Sequence, residues 1–365
     1  MERYILKNER TVQQKRKGVE IMIKNKLFDY AIENEATKDI FDQINDVYEQ
    51  FDKAKELGCM PQKLQAPLFG MWEITAKCPQ NCIYCYNSSP RKADELTSKQ
   101  LFDVADQIID MKFFNMCVTG GEPTMRPEYF QLVRYLATNG VQVGTVLSGA
   151  NLTPINMKRV ARYATVVQLS LDGSTAEIHD KVRRREGSFS DVINAIKYFV
   201  SQGVAVKISF ASTKYNIDDF ENVFNLCNEL GVSELRTQKL AVSGKVKGRE
   251  GDICASEEQY RRQKEFIDSH KKSILRYGDA SVHMQHGLRT GIVLMMRITA
   301  DGNVGITPYA DIFFGNVKEQ PLKEIFKKMA SGWADPQVRK CLMDGTISTN
   351  DEIIRDNLAD KMFIK

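Results

Sequence analysis

From Leu68 onward the chain alternates short apolar runs with longer amphipathic ones. Strand-like runs fall at Phe69 to Thr75, Asn115 to Thr119, Val141 to Leu147, Val166 to Leu171, Val204 to Ser209 and Glu234 to Lys239. Between them lie Ser98 to Met111, Pro127 to Asn139, Pro154 to Tyr163, Asp191 to Gln202 and Ile217 to Leu230, each long enough for a crossover helix. Six strands separated by helices predict a parallel α/β fold, because parallel neighbours need crossovers and these are right-handed. Function is then expected at the carboxyl ends of the strands.

Two flanking regions read differently. Residues 1–65 predict an α-rich N-terminal extension, with Ile40, Phe41, Ile44, Val47 and Tyr48 at helical spacing and Gly58 and Pro61 closing it. Residues 244–365 predict a small α+β C-terminal domain entered by a charged, glycine-containing linker, Ser243 to Gly251. Within it a helix is expected over Ser256 to Tyr277, two short strands about the hairpin dipeptide Asp301-Gly302, and a helix over Leu322 to Met329. Residues 66–243 are left as the main domain. No internal repeat or low-complexity tract interrupts the pattern.

Composition narrows the class. A 365-residue chain with 42% hydrophobic and 27% charged residues is ordinary for a globular protein. Lys and Arg total 51 against 47 Asp and Glu, and the resulting +4 is too slight to imply a nucleic-acid or anionic-membrane partner. The basic runs Lys181 to Arg185 and Lys245 to Arg249 read as solvated faces, Arg183 having a second reading below. No apolar stretch approaches ~18 residues and the first residues lack a signal-peptide pattern, so the cytoplasm is the expected compartment. Eight cysteines over this length are too sparse for a disulfide scaffold.

Three of those cysteines, Cys78, Cys82 and Cys85, share one short stretch with Pro79, Gln80 and Asn81 between them. On a helix they would share a face as ordinary core thiols, but the polar, proline-containing run suits a loop. A closed zinc site takes four ligands, and Cys59 and Cys117 are far away in sequence. A cubane iron–sulfur cluster held by three thiolates would leave one iron open. After the second strand comes Gly120-Gly121-Glu122-Pro123, where glycines permit close backbone approach and the carboxylate could accept from an ammonium group; a plain turn is the alternative.

The C-x3-C-x2-C spacing with Tyr84 before the last cysteine resembles the radical S-adenosylmethionine (SAM) enzymes. That resemblance implies a partial (β/α)6 TIM-like barrel, one [4Fe-4S] cluster on Cys78, Cys82 and Cys85, and SAM on its open iron. Reductive cleavage of SAM would then give a 5'-deoxyadenosyl radical that takes a hydrogen atom from substrate. By matching position, Gly120, Gly121 and Glu122 would carry the SAM amino group and Tyr84 would lie against adenine. The run Ser170-Leu171-Asp172-Gly173, followed by Glu177, His179, Asp180 and Arg183 and then Gly187-Ser188-Phe189, is similar to the branch containing anaerobic sulfatase-maturing and peptide-modifying enzymes. There Ser170 and Arg183 would hold the SAM carboxylate, with Arg184 and Arg185 as neighbouring candidates. Ser148 would lie near the ribose, with a simple turn at Ser148 to Asn151 as the alternative. His179 reads as a surface or helix-packing histidine, and Asn216 sits at a position usual in this branch with no role assigned.

The runs Gly287 to Gly291, Ile298 to Pro308, Phe314 to Val317 and Leu322 to Phe326 look like a SPASM domain, which normally binds auxiliary [4Fe-4S] clusters. Its pattern would put cysteines at Leu288 and Thr307, and only Cys341 remains in the region, so the scaffold is expected without auxiliary clusters. The resemblance implies a peptide substrate and a reducing partner such as flavodoxin or ferredoxin. A small-molecule substrate in cofactor or antibiotic biosynthesis is the second reading, and a non-catalytic metal-binding protein is a third.

Overall fold

The structure, a computed structural model, describes residues 66–67, 69–113, 115–270, 273–278, 293, 295–308, 312–333 and 363–364. The chain divides between Leu64 and Gln65, and everything described belongs to the second unit. The expectations for residues 1–65, Leu288 and Cys341 lie outside the described residues.

Six parallel strands run in sequence order: β1 (Phe69–Glu73), β2 (Asn115–Thr119), β3 (Gln142–Leu147), β4 (Ala164–Ser170), β5 (Ala205–Ser212) and β6 (Glu234–Lys239). Each matches an expected run to within a few residues. The crossovers are α1 (Ser98–Asp110), α2 (Tyr129–Thr138), α3 (Pro154–Tyr163), α4 (Ala176–Arg183), α5 (Ser188–Ser201) and α6 (Phe220–Leu230). Local chemistry starts them where the sequence indicates. Thr97 caps α1 in a reciprocal box with Gln100, and Thr153 caps α3 just before Pro154. Leu101, Val104, Ala105 and Ile108 then form the buried face of α1.

The parallel sheet is wider than six strands. β7 (Leu275–Tyr277) pairs with β6, and β8 (Met295–Ile298) pairs with β1, both in parallel. β7 replaces the end of the helix expected over Ser256 to Tyr277. That helix, α7, spans only Glu257–Ser269, because its buried stripe of Tyr260, Gln263 and Ile267 ends there. Leu275 and Arg276 instead alternate between buried and exposed, as a strand requires. From β8 the sheet turns antiparallel through β9 (Asn303–Gly305), β10 (Ile312–Asn316) and β11 (Phe363–Ile364). The Asp301-Gly302 turn stands where a hairpin was expected, and α8 (Leu322–Trp333) follows.

One buried ion pair ties β8 to the barrel. Arg297 donates to Glu73 at 2.8 and 3.3 Å, with both side chains almost entirely out of solvent. The fork-on-carboxylate geometry offsets the desolvation of both charges, which neither would bear alone. Arg297→Met should therefore lower stability by about 3–5 kcal/mol in urea unfolding, by leaving Glu73 unpaired. Replacing both residues with apolar ones should restore much of the loss.

Candidate active site at the cysteine loop

The loop after β1 carries Cys78, Cys82 and Cys85 and is gripped by backbone from three directions. From β2, Gly121 N donates to Thr75 O and Glu122 N to Lys77 O, at 2.7 and 2.8 Å. Both glycines are obligatory for that approach: a Cβ would lie 2.4 Å from Thr75 O at Gly120 and 2.2 Å from Lys77 O at Gly121. From α4, the carbonyls of Arg183 and Val182 accept from Asn81 N and Ile83 N. From the segment after β6, Lys245 N donates to Cys85 O, while Lys245 Nζ reaches Asn81 Oδ1 and Ser89 O, both at 2.6 Å.

That third grip revises the reading of Ser243 to Gly251 as a linker and of Lys245 as solvated. Gly244, at φ +53°, lies so close to Tyr86 O that a Cβ would fall 2.2 Å from it, and Val246 is buried. The strap packs with Ile83, Val182 and Ile253 into a small apolar cluster, against which Tyr84 and Cys254 also lie. Among the other basic residues, Arg184 is exposed at the left-handed end of α4 and Arg185 pairs with Asp191 at 2.7 Å. Arg183 alone of the three turns inward.

Asp172, fully buried just past β4, is the hub behind the loop. Its Oδ2 accepts from Tyr84 Oη at 2.5 Å and from Arg183 at 3.3 Å, and its Oδ1 accepts from Ala211 N at 2.9 Å. Arg183 also donates to Tyr84 Oη and sits over its ring. Burial pushes the Asp172 carboxyl up, opposed by the Arg183 guanidinium and by these donors. Asp172 N donates to His179 Nδ1, so the ring proton resides on Nε2, facing Ser188 Oγ at 3.1 Å. Ser188 in turn accepts from Gln80 Nε2, inside the cysteine loop. His179 is thus a buried packing and hydrogen-bonding residue. Asn216 donates to Asp172 O and Ala211 O and accepts from Thr213, tying the ends of β4 and β5 together. The sequence reading assigns neither Asp172 nor the strap a role at the site. The aspartate two residues beyond Ser170 in the Ser-Leu-Asp-Gly run is the available signal.

Glu122 is fully buried, with Oε1 accepting from Thr124 N and Oγ1 and Oε2 accepting from Ser148 N and Oγ. Burial raises its pKa, against the lowering effect of those four bonds. Among the described residues no Lys, Arg or His pairs with it. Ser148 therefore faces Glu122, whereas Ser170 stands half-buried at the end of β4. The Arg183 Nε is buried with no hydrogen-bond partner among the described residues. A fixed carboxylate lacking a counter-charge and a guanidinium with an unused edge suit an amino-acid zwitterion. A cavity of about 410 Å3 lined by Lys77, Cys78, Pro90, Arg91, Lys92 and Met125 opens beside the first cysteine.

Burial pushes the Cys78 thiol up to about 12 and raises Cys82 as well, so both are protonated until metal displaces the protons. Among the described residues no three His, Cys, Asp or Glu side chains converge on one ion. In a cubane each thiolate binds its own iron, so such ligands surround a volume rather than a point.

A parallel α/β barrel that presents three thiols at the carboxyl end of its first strand defines a class of cluster-binding barrel. Residues 72–227 match the Radical SAM superfamily, and this part of the chain is a radical SAM domain. Mycofactocin maturase MftC of Mycobacterium tuberculosis (strain ATCC 25618 / H37Rv) is 31% identical over 255 residues, covering 68% of this chain. The match spans 64% of that relative's length, less than two thirds. AdoMet-dependent heme synthase of Methanosarcina barkeri is 26% identical over 308 residues, covering 76% of this chain and 85% of its own. Streptococcus suis SuiB bound to precursor peptide SuiA superposes with a TM-score of 0.59 at 16% identity, over 81% of this chain and 72% of its own. At that identity the likeness shows the fold. No helix among the described residues is long and apolar enough to cross a membrane.

Gly121→Ala should push the loop away from Lys77 O, so that iron bound after anaerobic reconstitution falls well below the about four atoms of a filled cubane while helical circular dichroism persists. His179 gives a pH test. Burial holds its pKa down at about 3 against 6.5 unfolded, so its contribution is full above 6.5 and is lost as the pH falls toward 3. By linkage the loss is on the order of 5 kcal/mol. Urea midpoints of the wild-type chain should fall more steeply across that window than those of His179→Gln.

Proposed function

We propose that this protein is a radical SAM maturase that removes a hydrogen atom from a peptide substrate. The observation that carries the reading is the placing of a buried Glu122, with no cation paired to it among the described residues, against a loop of three cysteines. In this reading Cys78, Cys82 and Cys85 hold three irons of one [4Fe-4S] cluster. Gly120, Gly121 and Glu122 receive the SAM amino group, and Ser148 fixes the Glu122 carboxylate for it. Ser170 and the unused edge of Arg183 receive the SAM carboxylate, with Asp172 holding Arg183 and Tyr84 in place. When bound, the cluster and SAM supply one-electron cleavage to a 5'-deoxyadenosyl radical. The Asp172 hub and the strap hold the loop, with Cys82 buried and Cys78 and Cys85 part-exposed toward the site.

The peptide substrate is supported by the mycofactocin maturase match, and SuiB provides a barrel of this fold with a peptide on it. A small-molecule substrate is the second reading, favoured by the heme synthase match, which covers more of both chains. The electron donor would be a small reducing protein such as flavodoxin or ferredoxin, in the cytoplasm. Thr307 is buried, and its carbonyl accepts from Arg297 at 3.4 Å, which supports a C-terminal region used for packing without auxiliary clusters.

Anaerobically reconstituted, dithionite-reduced protein should bind about four irons per chain and convert SAM to 5'-deoxyadenosine, and Glu122→Ala should cut that conversion by at least about tenfold. Eight irons would reject the single-cluster reading. No 5'-deoxyadenosine would favour the non-catalytic alternative.

A further inference from the structure

Among the described residues, the wall made by β5, β6 and β7 carries more basic than acidic side chains on one face. On β5, Val206, Ile208 and Phe210 are buried toward the helices, with Phe210 edge-to-face on Phe220 of α6. Lys207 and Ser209 therefore point the other way, into the barrel. The register extends that parity across the sheet. Ser170 pairs with Ser209, Ser209 with Arg236 and Arg236 with Arg276, forming one row; Gln168, Lys207 and Glu234 form the row below.

Among the described residues, this wall carries three cations, Lys207, Arg236 and Arg276, and one carboxylate, Glu234. Glu234 takes Lys207 at 3.1 Å and Arg236 at 3.0 Å on its two oxygens. Arg276 donates only to the carbonyls of Ser273 and Leu275. Arg236 keeps 43% of its side chain exposed although it lies mid-strand. Arg236 and Arg276 stand on adjacent strands, about 5 Å apart at the backbone, and among the described residues Glu234 is the one carboxylate beside them, so a second anion there would offset the remaining positive charge. The row begins at Ser170, two strand spacings or about 10 Å from Arg236, within the span of a substrate residue held against SAM.

We propose that Arg236 and Arg276 receive a carboxylate of the substrate, so that this barrel selects an acidic peptide. The inference rests on the peptide reading above and adds the group that positions the substrate. The guanidinium fork matches a carboxylate in a way that lysine does not. The carboxylate belongs either to an Asp or Glu side chain or to the peptide's C-terminus.

The test offers SAM-loaded, anaerobically reconstituted holoenzyme two pools of random heptapeptides, one with free C-termini and one amidated, and sequences what is retained. The wild-type chain should enrich carboxylate-bearing peptides by about tenfold, as one partly desolvated ion pair would provide. Enrichment of Asp and Glu in the amidated pool assigns the carboxylate to a side chain; preference for the free pool over the amidated one assigns it to the terminus. Arg236→Met should abolish either preference and leave substrate-free 5'-deoxyadenosine formation unchanged. Absence of acidic preference in both pools overturns the proposal, as does its survival in Arg236→Met. Loss of 5'-deoxyadenosine formation in that variant also overturns it, by placing Arg236 at SAM. Failure of the wild-type chain to form 5'-deoxyadenosine would count instead against the radical reading.

Discussion

A single buried carboxylate, that of Asp172, holds the site in its shape. It joins the cysteine loop through Tyr84, the end of α4 through Arg183, and β5 through Ala211 N, while its own backbone engages His179 and Asn216. A charge with no exposed surface is stable only when each of its partners is present, so these elements are constrained to move together. The loop that carries the cysteines inherits its position from that constraint. His179, Ser188 and Gln80 extend the same network back into the loop between Cys78 and Cys82.

The two glycines beside Glu122 supply the complementary constraint. Their missing side chains let β2 lie against the cysteine loop, and Glu122 is thereby delivered next to Cys78 with its oxygens fixed by Thr124 and Ser148. Glu122 and Asp172 are both buried carboxylates, but they differ in one respect that assigns their work. Asp172 has its cation in Arg183, whereas Glu122 has none among the described residues. The first is finished as a structural unit, and the second is electrostatically complete only with a positive ligand.

Much of the barrel was legible because the apolar runs and their separations report strands and crossover helices directly. The three cysteines and the Gly-Gly-Glu turn were legible because their chemistry is local in sequence. What the pattern hid are contacts made across long separations. Lys245 meets Asn81 from 164 positions away, and Arg297 meets Glu73 from 224. Nothing in the charged run around Lys245 distinguishes a strap over the site from a solvated linker. β7 was hidden for another reason: a three-residue strand beside a long helix carries too few alternations to be read without its neighbour β6. Asp172 stood in plain view within a recognisable run, but only burial revealed that it anchors the loop.

In the proposed function three thiolates hold a cluster whose remaining iron is open to the amino and carboxylate groups of SAM. The most direct measurement is electron paramagnetic resonance of the reduced, anaerobically reconstituted protein before and after SAM is added. A [4Fe-4S] signal whose g-values shift on adding SAM is the predicted result. A cluster signal indifferent to SAM, or tetrahedral zinc bound at the loop in protein purified without oxygen, would contradict it.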